Sequence, residues 1–249
     1  MLTGLSLGSV NCTGDYIGDV ENIGSFDDVN YFKTEDQCLS ATASVYDKMK
    51  KYAGGFENMV TFFNAGSDDF YSGGGSSTDG AGIQGFNNYT INPIIMPASY
   101  WKDFYQGVAN ANWVLERMPD APVSENFKKR IIAEVTVLRS LYYFELVKMF
   151  GNVPLILKRI SSNDDYWNIP QTPKQEVYNQ IENDILAVVN DLPMTVGGAE
   201  NGRITQGAAR AILGKIYLYD KKNTEAAAQF AQVNGTPGQT SQYGYKLVD

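Results

Sequence analysis

The sequence contains no histidine at all. That absence removes the Ser-His-Asp triad, the Cys-His dyad and every histidine-ligated metal site from this chain. Cysteine is nearly absent too. Cys12 and Cys38 are too few for a zinc cluster or a disulfide framework. They could pair in an oxidising compartment, or stand alone as structural or modified thiols. No apolar run is long enough to cross a bilayer as a helix. Positive charge is in deficit, with 20 Lys and Arg against 28 Asp and Glu, a net charge of −8. A nucleic-acid partner calls for a basic stripe, and adhesion to anionic lipid calls for a basic face; neither is present.

What the chain does have is aromatic surface, including 16 tyrosines. Tyrosine joins a flat apolar face to a hydroxyl, which suits wet interfaces and sugar rings. With 249 residues the chain can bury a large core.

The clearest stretch runs from Ala133 to Leu157, AEVTVLRSLYYFELVKMFGNVPLIL. Val135, Leu138, Leu141, Tyr142, Leu146 and Met149 follow the spacing of one helical face. This predicts an amphipathic helix from about Ser124 to Phe150, with Tyr142, Tyr143 and Phe144 in the core. Gly151 and Asn152 can close it and Pro154 prevents its return. Leu155, Ile156 and Leu157 then read as an extended, buried run. Arg139 interrupts the apolar face, so a structural ion pair is expected for it.

Further helices follow from caps and periodicity. Thr34 is an N-cap with Glu35 and Asp36 behind it, opening a helix whose face is marked by Leu39, Ala43 and Tyr46. Ser99–Met118 carries Tyr100, Trp101, Phe104, Val108, Ala111 and Leu115 on one face. Asn112, a poor helix former, is expected to hydrogen-bond in the interior. Pro173 opens a helix with a Val177, Ile181, Ile185, Val188 and Val189 stripe. Ala208, Ala209, Ala211 and Gly214 predict a closely packed helix, and Thr224 a cap for a last one through Val233. The helices pair in repeating lengths like tetratricopeptide hairpins, without the strict consensus.

Gly66–Pro97 has no helical period. It reads as a long surface loop in which Phe70, Tyr71, Phe86 and Tyr89 alternate with glycines. No GK[ST] follows the glycine triplet Gly73–Gly75, so it is not a phosphate loop. Asp68 and Asp69 read as turn formers or cation ligands. A second loop, Ser161–Thr172, carries Asp164, Asp165, Tyr166 and Trp167.

These motifs together resemble the RagB/SusD family, the surface glycan-binding lipoproteins of Bacteroidetes. The resemblance rests on the LR…YYF-x-LV…FG-x-VPL stretch, on FKTEDQ…A…Y from Phe32, and on Trp101, Tyr105, Val108 and Asn112. It rests also on Ser67-Asp68-Asp69, on the helix ending Leu192-Pro193, where Ile185 replaces the usual leucine, and on the GR-x-T…AA…YLY segment from Gly202. It implies a mainly α fold of tetratricopeptide-like hairpins with long loop insertions, of which this chain covers about the N-terminal half. It implies residues 1–30 as a signal remnant and lipid-anchor tether, and 31–249 as the helical domain. Cys12, after the apolar Met1–Val10, is then the lipidated residue of an outer-membrane, surface-exposed protein; the alternative is an ordinary cysteine in an N-terminal tail.

The function so implied is non-catalytic. The protein would bind oligosaccharide at the cell surface and deliver it to a TonB-dependent, SusC-like transporter, with no cofactor. Asp68, Asp69, Tyr71, Phe86 and Tyr89 are the candidate ligand-binding residues. A glycosidase would need two carboxylates roughly 5–10 Å apart across a cleft, and the adjacent Asp68 and Asp69 diverge. A helical-repeat scaffold for protein partners is the alternative, although such an array has no need of a Gly/aromatic insert.

Overall fold

The computed structural model describes residues 31–160 and 166–246. The expectations for Cys12, for the tether and for Asp164 and Asp165 lie outside the described residues. Chain contacts separate Met1–Tyr31 from Phe32–Asp249.

Within Phe32–Asp249 the order is α1 (Glu35–Tyr46), α2 (Met59–Ala65), α3 (Ala81–Asn87), α4 (Ala98–Arg117), α5 (Glu125–Phe150), α6 (Lys174–Val188), α7 (Gln206–Tyr219) and α8 (Asn223–Asn234). Among the described residues β structure is limited to one antiparallel bridge, Val153 to Thr172. Helices adjacent in sequence pack together: α4 on α5, α5 on α6, and α7 on α8. The fold is therefore mainly α and built of successive helical hairpins.

The helix starts follow local chemistry. Thr34 and Gln37 form a full capping box at α1, and the Ser124 hydroxyl accepts from Phe127 N–H at α5. Gly151, at φ +75°, ends α5. Other boundaries differ from expectation. Lys222 caps α8, so Thr224 lies inside it. The buried face of α1 is Cys38, Ala41, Thr42 and Val45, not the face of Leu39, Ala43 and Tyr46. These side chains meet α4 and α5, while the half-buried Tyr46 reaches in at its tip, its hydroxyl donating to the buried Glu134 at 2.8 Å and accepting from Ile204 N at 2.9 Å. The run Leu155–Leu157 is extended but half-buried.

The largest difference concerns α5. It is not amphipathic in its centre: every residue from Ala133 to Val147 is buried. Such a helix has neighbours on all sides, and α5 touches α1, α4, α6 and α7. Its buried polar groups must then find partners inside the protein. Glu134 accepts from Arg130 Nε at 3.0 Å, Arg203 Nε at 2.9 Å and the Tyr46 hydroxyl at 2.8 Å. Burial and the Glu134 carboxylate push the Tyr46 hydroxyl pKa well above its usual value. Arg139 donates to Asp184 at 2.9 Å, Asn112 Oδ1 at 3.0 Å and Leu157 O at 3.3 Å. This is the expected ion pair, and Asn112 has its interior hydrogen bonds. Glu145 accepts from Tyr52 at 3.0 Å and pairs with Lys148.

Close helix approach depends on two glycines. A Cβ on Gly107 of α4 would sit 2.6 Å from the Tyr142 ring of α5, and one on Gly214 of α7 would sit 2.7 Å from Phe230 of α8. Tyr142 is fully buried and its hydroxyl is bonded to Val45 O, so it cannot move aside.

Three stability outcomes follow from these contacts. Gly107→Ala should destabilise the fold by about 1–3 kcal/mol in urea unfolding through overpacking. Glu134→Ala, which takes the buried carboxylate from Arg130, Arg203 and Tyr46 and leaves the two arginines only the half-exposed Glu200, should cost about 3 kcal/mol. Glu125→Ala, which breaks an exposed pair with Lys128, should cost at most about 1 kcal/mol. Equal unfolding midpoints for Glu134→Ala and Glu125→Ala would contradict the buried network.

Candidate functional site

The segment between α2 and α4 holds the sequence-derived candidates. It is more ordered by its own side chains than its composition suggests, and it contains helix α3, which the sequence reading missed. Glycine is a weak helix former, yet α3 needs it. A Cβ on Gly82 would lie 2.9 Å from Pro97, and one on Gly85 would lie 2.6 Å from Ile95. The glycines let Ile95–Pro97 clasp the helix.

Hydrogen bonds fix the rest. Ser72 donates through N and Oγ to Asn87 Oδ1, at 2.6 and 2.9 Å. Gln84 Nε2 donates to Ser76 O at 2.9 Å and Asp79 O at 2.6 Å. Asp79 Oδ2 accepts from Gly75 N at 2.9 Å. Tyr89, at φ +55°, donates its hydroxyl to Gly66 O at 2.9 Å.

The five candidates divide into three kinds. Asp68 and Asp69 form an exposed turn after α2. Among the described residues no group of three or more His, Cys, Asp or Glu is placed to hold a metal. Tyr71 and Tyr89 are 86% and 75% exposed. The Tyr89 ring is held at its hydroxyl end and presents itself to solvent. Phe86 is different. Its ring packs edge-on against Phe62 with centroids 4.8 Å apart, and Phe62 in turn meets Tyr100. It is a half-buried ring packed on the core, and its outer side joins Phe63, Ile91, Met96, Trp101 and Phe150 around a cleft of about 610 Å³. That lining is chiefly apolar.

A second cleft, of about 730 Å³, was not foreseen. It lies between α4 and the segment after α5. Trp101 and Tyr105 contribute from the helix, Tyr166 and Trp167 from the loop, with Lys102, Gln106 and Lys158 between them. The signal in the sequence was the Tyr166-Trp167 pair in an otherwise polar loop. Trp101 carried the opposite signal, because helical spacing assigned it to the core, and Tyr105 stood out only as a position of the family motif. Trp101 remains 37% exposed and lines both clefts.

With this geometry in hand, known proteins give a consistent comparison. A SusD-like family profile, described as starch-binding and associating with the outer membrane, matches residues 31–218. A SusD-like protein of Bacteroides ovatus is 26% identical over 225 residues, covering 84% of this chain and 38% of the relative. Among solved structures, a laminarin-binding SusD-like protein is 53% identical with a TM-score of 0.84, covering 87% of this chain and 47% of its own. A surface glycan-binding protein A from Bacteroides thetaiotaomicron, 23% identical with a TM-score of 0.71, shares the fold, covering 82% of this chain and 43% of its own. The chain thus spans less than half the length of these relatives. The agreement extends from the capping box of α1 to the close-packed helix α7, and the chain belongs to the SusD-like family.

Proposed function

We propose that this chain is the helical part of a non-catalytic, surface glycan-binding protein that captures oligosaccharide and delivers it to a TonB-dependent, SusC-like transporter. The observation that carries this reading is the pair of outward-facing rings, Tyr71 and Tyr89, on a segment pinned by its own hydrogen bonds. Such rings stack on pyranose faces, and holding the Tyr89 ring by its hydroxyl beforehand lowers the ordering cost of binding. The 53% identical relative binds laminarin, so a laminarin-type glucan is the proposed ligand class. Asp68 and Asp69, exposed beside Tyr71, are placed to accept hydrogen bonds from sugar hydroxyls. Phe86 serves as the packed support of α3.

The location follows from the family, which is outer-membrane associated. We assign residues 1–30 to the tether, 31–249 to the helical domain and Cys12 to lipid attachment at the cell surface. Binding requires no cofactor and no catalytic pair.

Two experiments test these assignments. Isothermal titration with laminarihexaose should show Tyr71→Ala and Tyr89→Ala each weakening affinity by about threefold to tenfold. Tyr71→Ala should keep its melting temperature, and Tyr89→Ala, which loses one exposed hydrogen bond to Gly66 O, should lower it only slightly. Unchanged affinity in both variants would remove this segment from the site. In cells, labelling with a fatty-acid analogue should mark the protein and be lost in Cys12→Ala; labelling that persists in the variant would return Cys12 to an ordinary thiol.

A further inference from the structure

The cleft between α4 and the segment after α5 has a wall that is unusually fixed. Tyr105 donates to Pro154 O at 2.7 Å. Asn112 Nδ2 donates to Ile156 O at 2.8 Å and Lys158 O at 3.2 Å. Arg139 reaches Leu157 O at 3.3 Å. The Tyr143 hydroxyl both donates to Ile156 O and accepts from Ile156 N, at 2.8 and 2.6 Å. An extended segment normally offers its backbone to an added strand. Here the carbonyls of Pro154, Ile156, Leu157 and Lys158 are already engaged by side chains. The wall is therefore poorly suited to pair with an incoming peptide, and recognition falls to the side chains that face the cleft.

Those side chains are aromatic on both lips. On the helix, Trp101 is braced by Tyr105 at 4.8 Å and by Phe150 at 5.2 Å, and so keeps a fixed orientation. On the loop, Trp167 is 78% exposed and meets Tyr166 edge-on at 5.0 Å. Lys102, Gln106 and Lys158 bring ammonium and amide donors to the same lining. Its volume, about 730 Å³, lies within the roughly 300–1,000 Å³ typical of small-ligand sites.

We propose that this cleft is a second carbohydrate subsite, in which pyranose rings stack on Trp167 and Trp101 while Lys102, Gln106 and Lys158 hydrogen-bond their hydroxyls. The subsite rests on the glycan-binding reading and extends it to a surface that the Asp68–Tyr89 segment does not form. Aromatic faces supply the contact area and polar groups on the lining set the orientation of the sugar.

The test is a titration of the full chain with laminarihexaose, followed by tryptophan emission and by calorimetry. Wild type, Trp167→Ala, Lys158→Ala and Tyr89→Ala are compared, with melting temperature as the folding control. Trp113 packs against Phe32, with centroids 5.0 Å apart, and lines neither cleft, so the emission change should come from Trp101 and Trp167. Trp167→Ala is expected to weaken binding by about tenfold and to remove most of the emission change, with its melting temperature unaltered. Lys158→Ala is expected to weaken it by a smaller factor. If Trp167→Ala and Lys158→Ala bind as wild type while Tyr89→Ala does not, the cleft is no sugar site and the glycan-binding reading stands. If wild type binds neither laminarihexaose nor any oligosaccharide of a broad panel, the glycan-binding reading fails and the subsite with it.

Discussion

Helix α5 is enclosed on every side, and it carries charge into that enclosure. Glu134, Arg139 and Glu145 are spread along its buried length, and each is bonded to different neighbours. Glu134 ties it to Tyr46 of α1 and to Arg203 before α7. Arg139 ties it to Asn112 of α4 and Asp184 of α6. Glu145 ties it to Tyr52, in the turn after α1. A buried charge without its partner is costly, so these contacts penalise misplaced neighbours more than they add stability. Apolar packing alone would tolerate sliding of one helix on another; three charged posts with separate partners do not.

The proposed binding surfaces depend on that order. Asn112 is held by Arg139 and in turn holds the carbonyls of Ile156 and Lys158. The wall of the second cleft is thus an extension of the buried ion pair with Asp184. On the other side of Trp101, the Phe86–Phe62–Tyr100 ring contacts connect α3 to α4. The exposed rings differ from these. Tyr71, Tyr89 and Trp167 contribute little to the core, and so their identities are free to follow ligand rather than fold.

Much of this was legible from residues. Thr34, Ser124, Gly151 and Pro173 mark helix ends because capping is local chemistry, decided within a few residues. The ion pair of Arg139 could be anticipated, since a guanidinium beside Leu138 has no other stable outcome; that its partner is Asp184 could not. Three things were beyond reach for the same reason, which is that they depend on distant chain. The buried face of α1 is the one that meets α4 and α5, both far along the chain. Helix α3 exists because Ile95 and Pro97 close over glycines that disfavour it locally. The enclosure of α5 follows from four neighbouring helices, whereas its own pattern of apolar residues implied one face. The candidate rings were found by type, and type alone could not separate Phe86, which packs, from Tyr71 and Tyr89, which do not.

The Val153–Thr172 bridge has an evolutionary meaning. Thr172 N donates to Val153 O at 3.0 Å, and the next turn is secured when Lys174 N donates to Asn152 Oδ1 at 2.9 Å. These two bonds clamp the chain where α5 hands over to α6. A change of length between 159 and 171, past the carbonyls held by Tyr105, Asn112, Arg139 and Tyr143, leaves the hairpin geometry unchanged, because lengthening such a loop carries only a small entropic cost. The clamp makes the intervening segment an interchangeable cassette, open to changes of length and sequence that a lineage can explore while the helical frame stays under its own separate constraint.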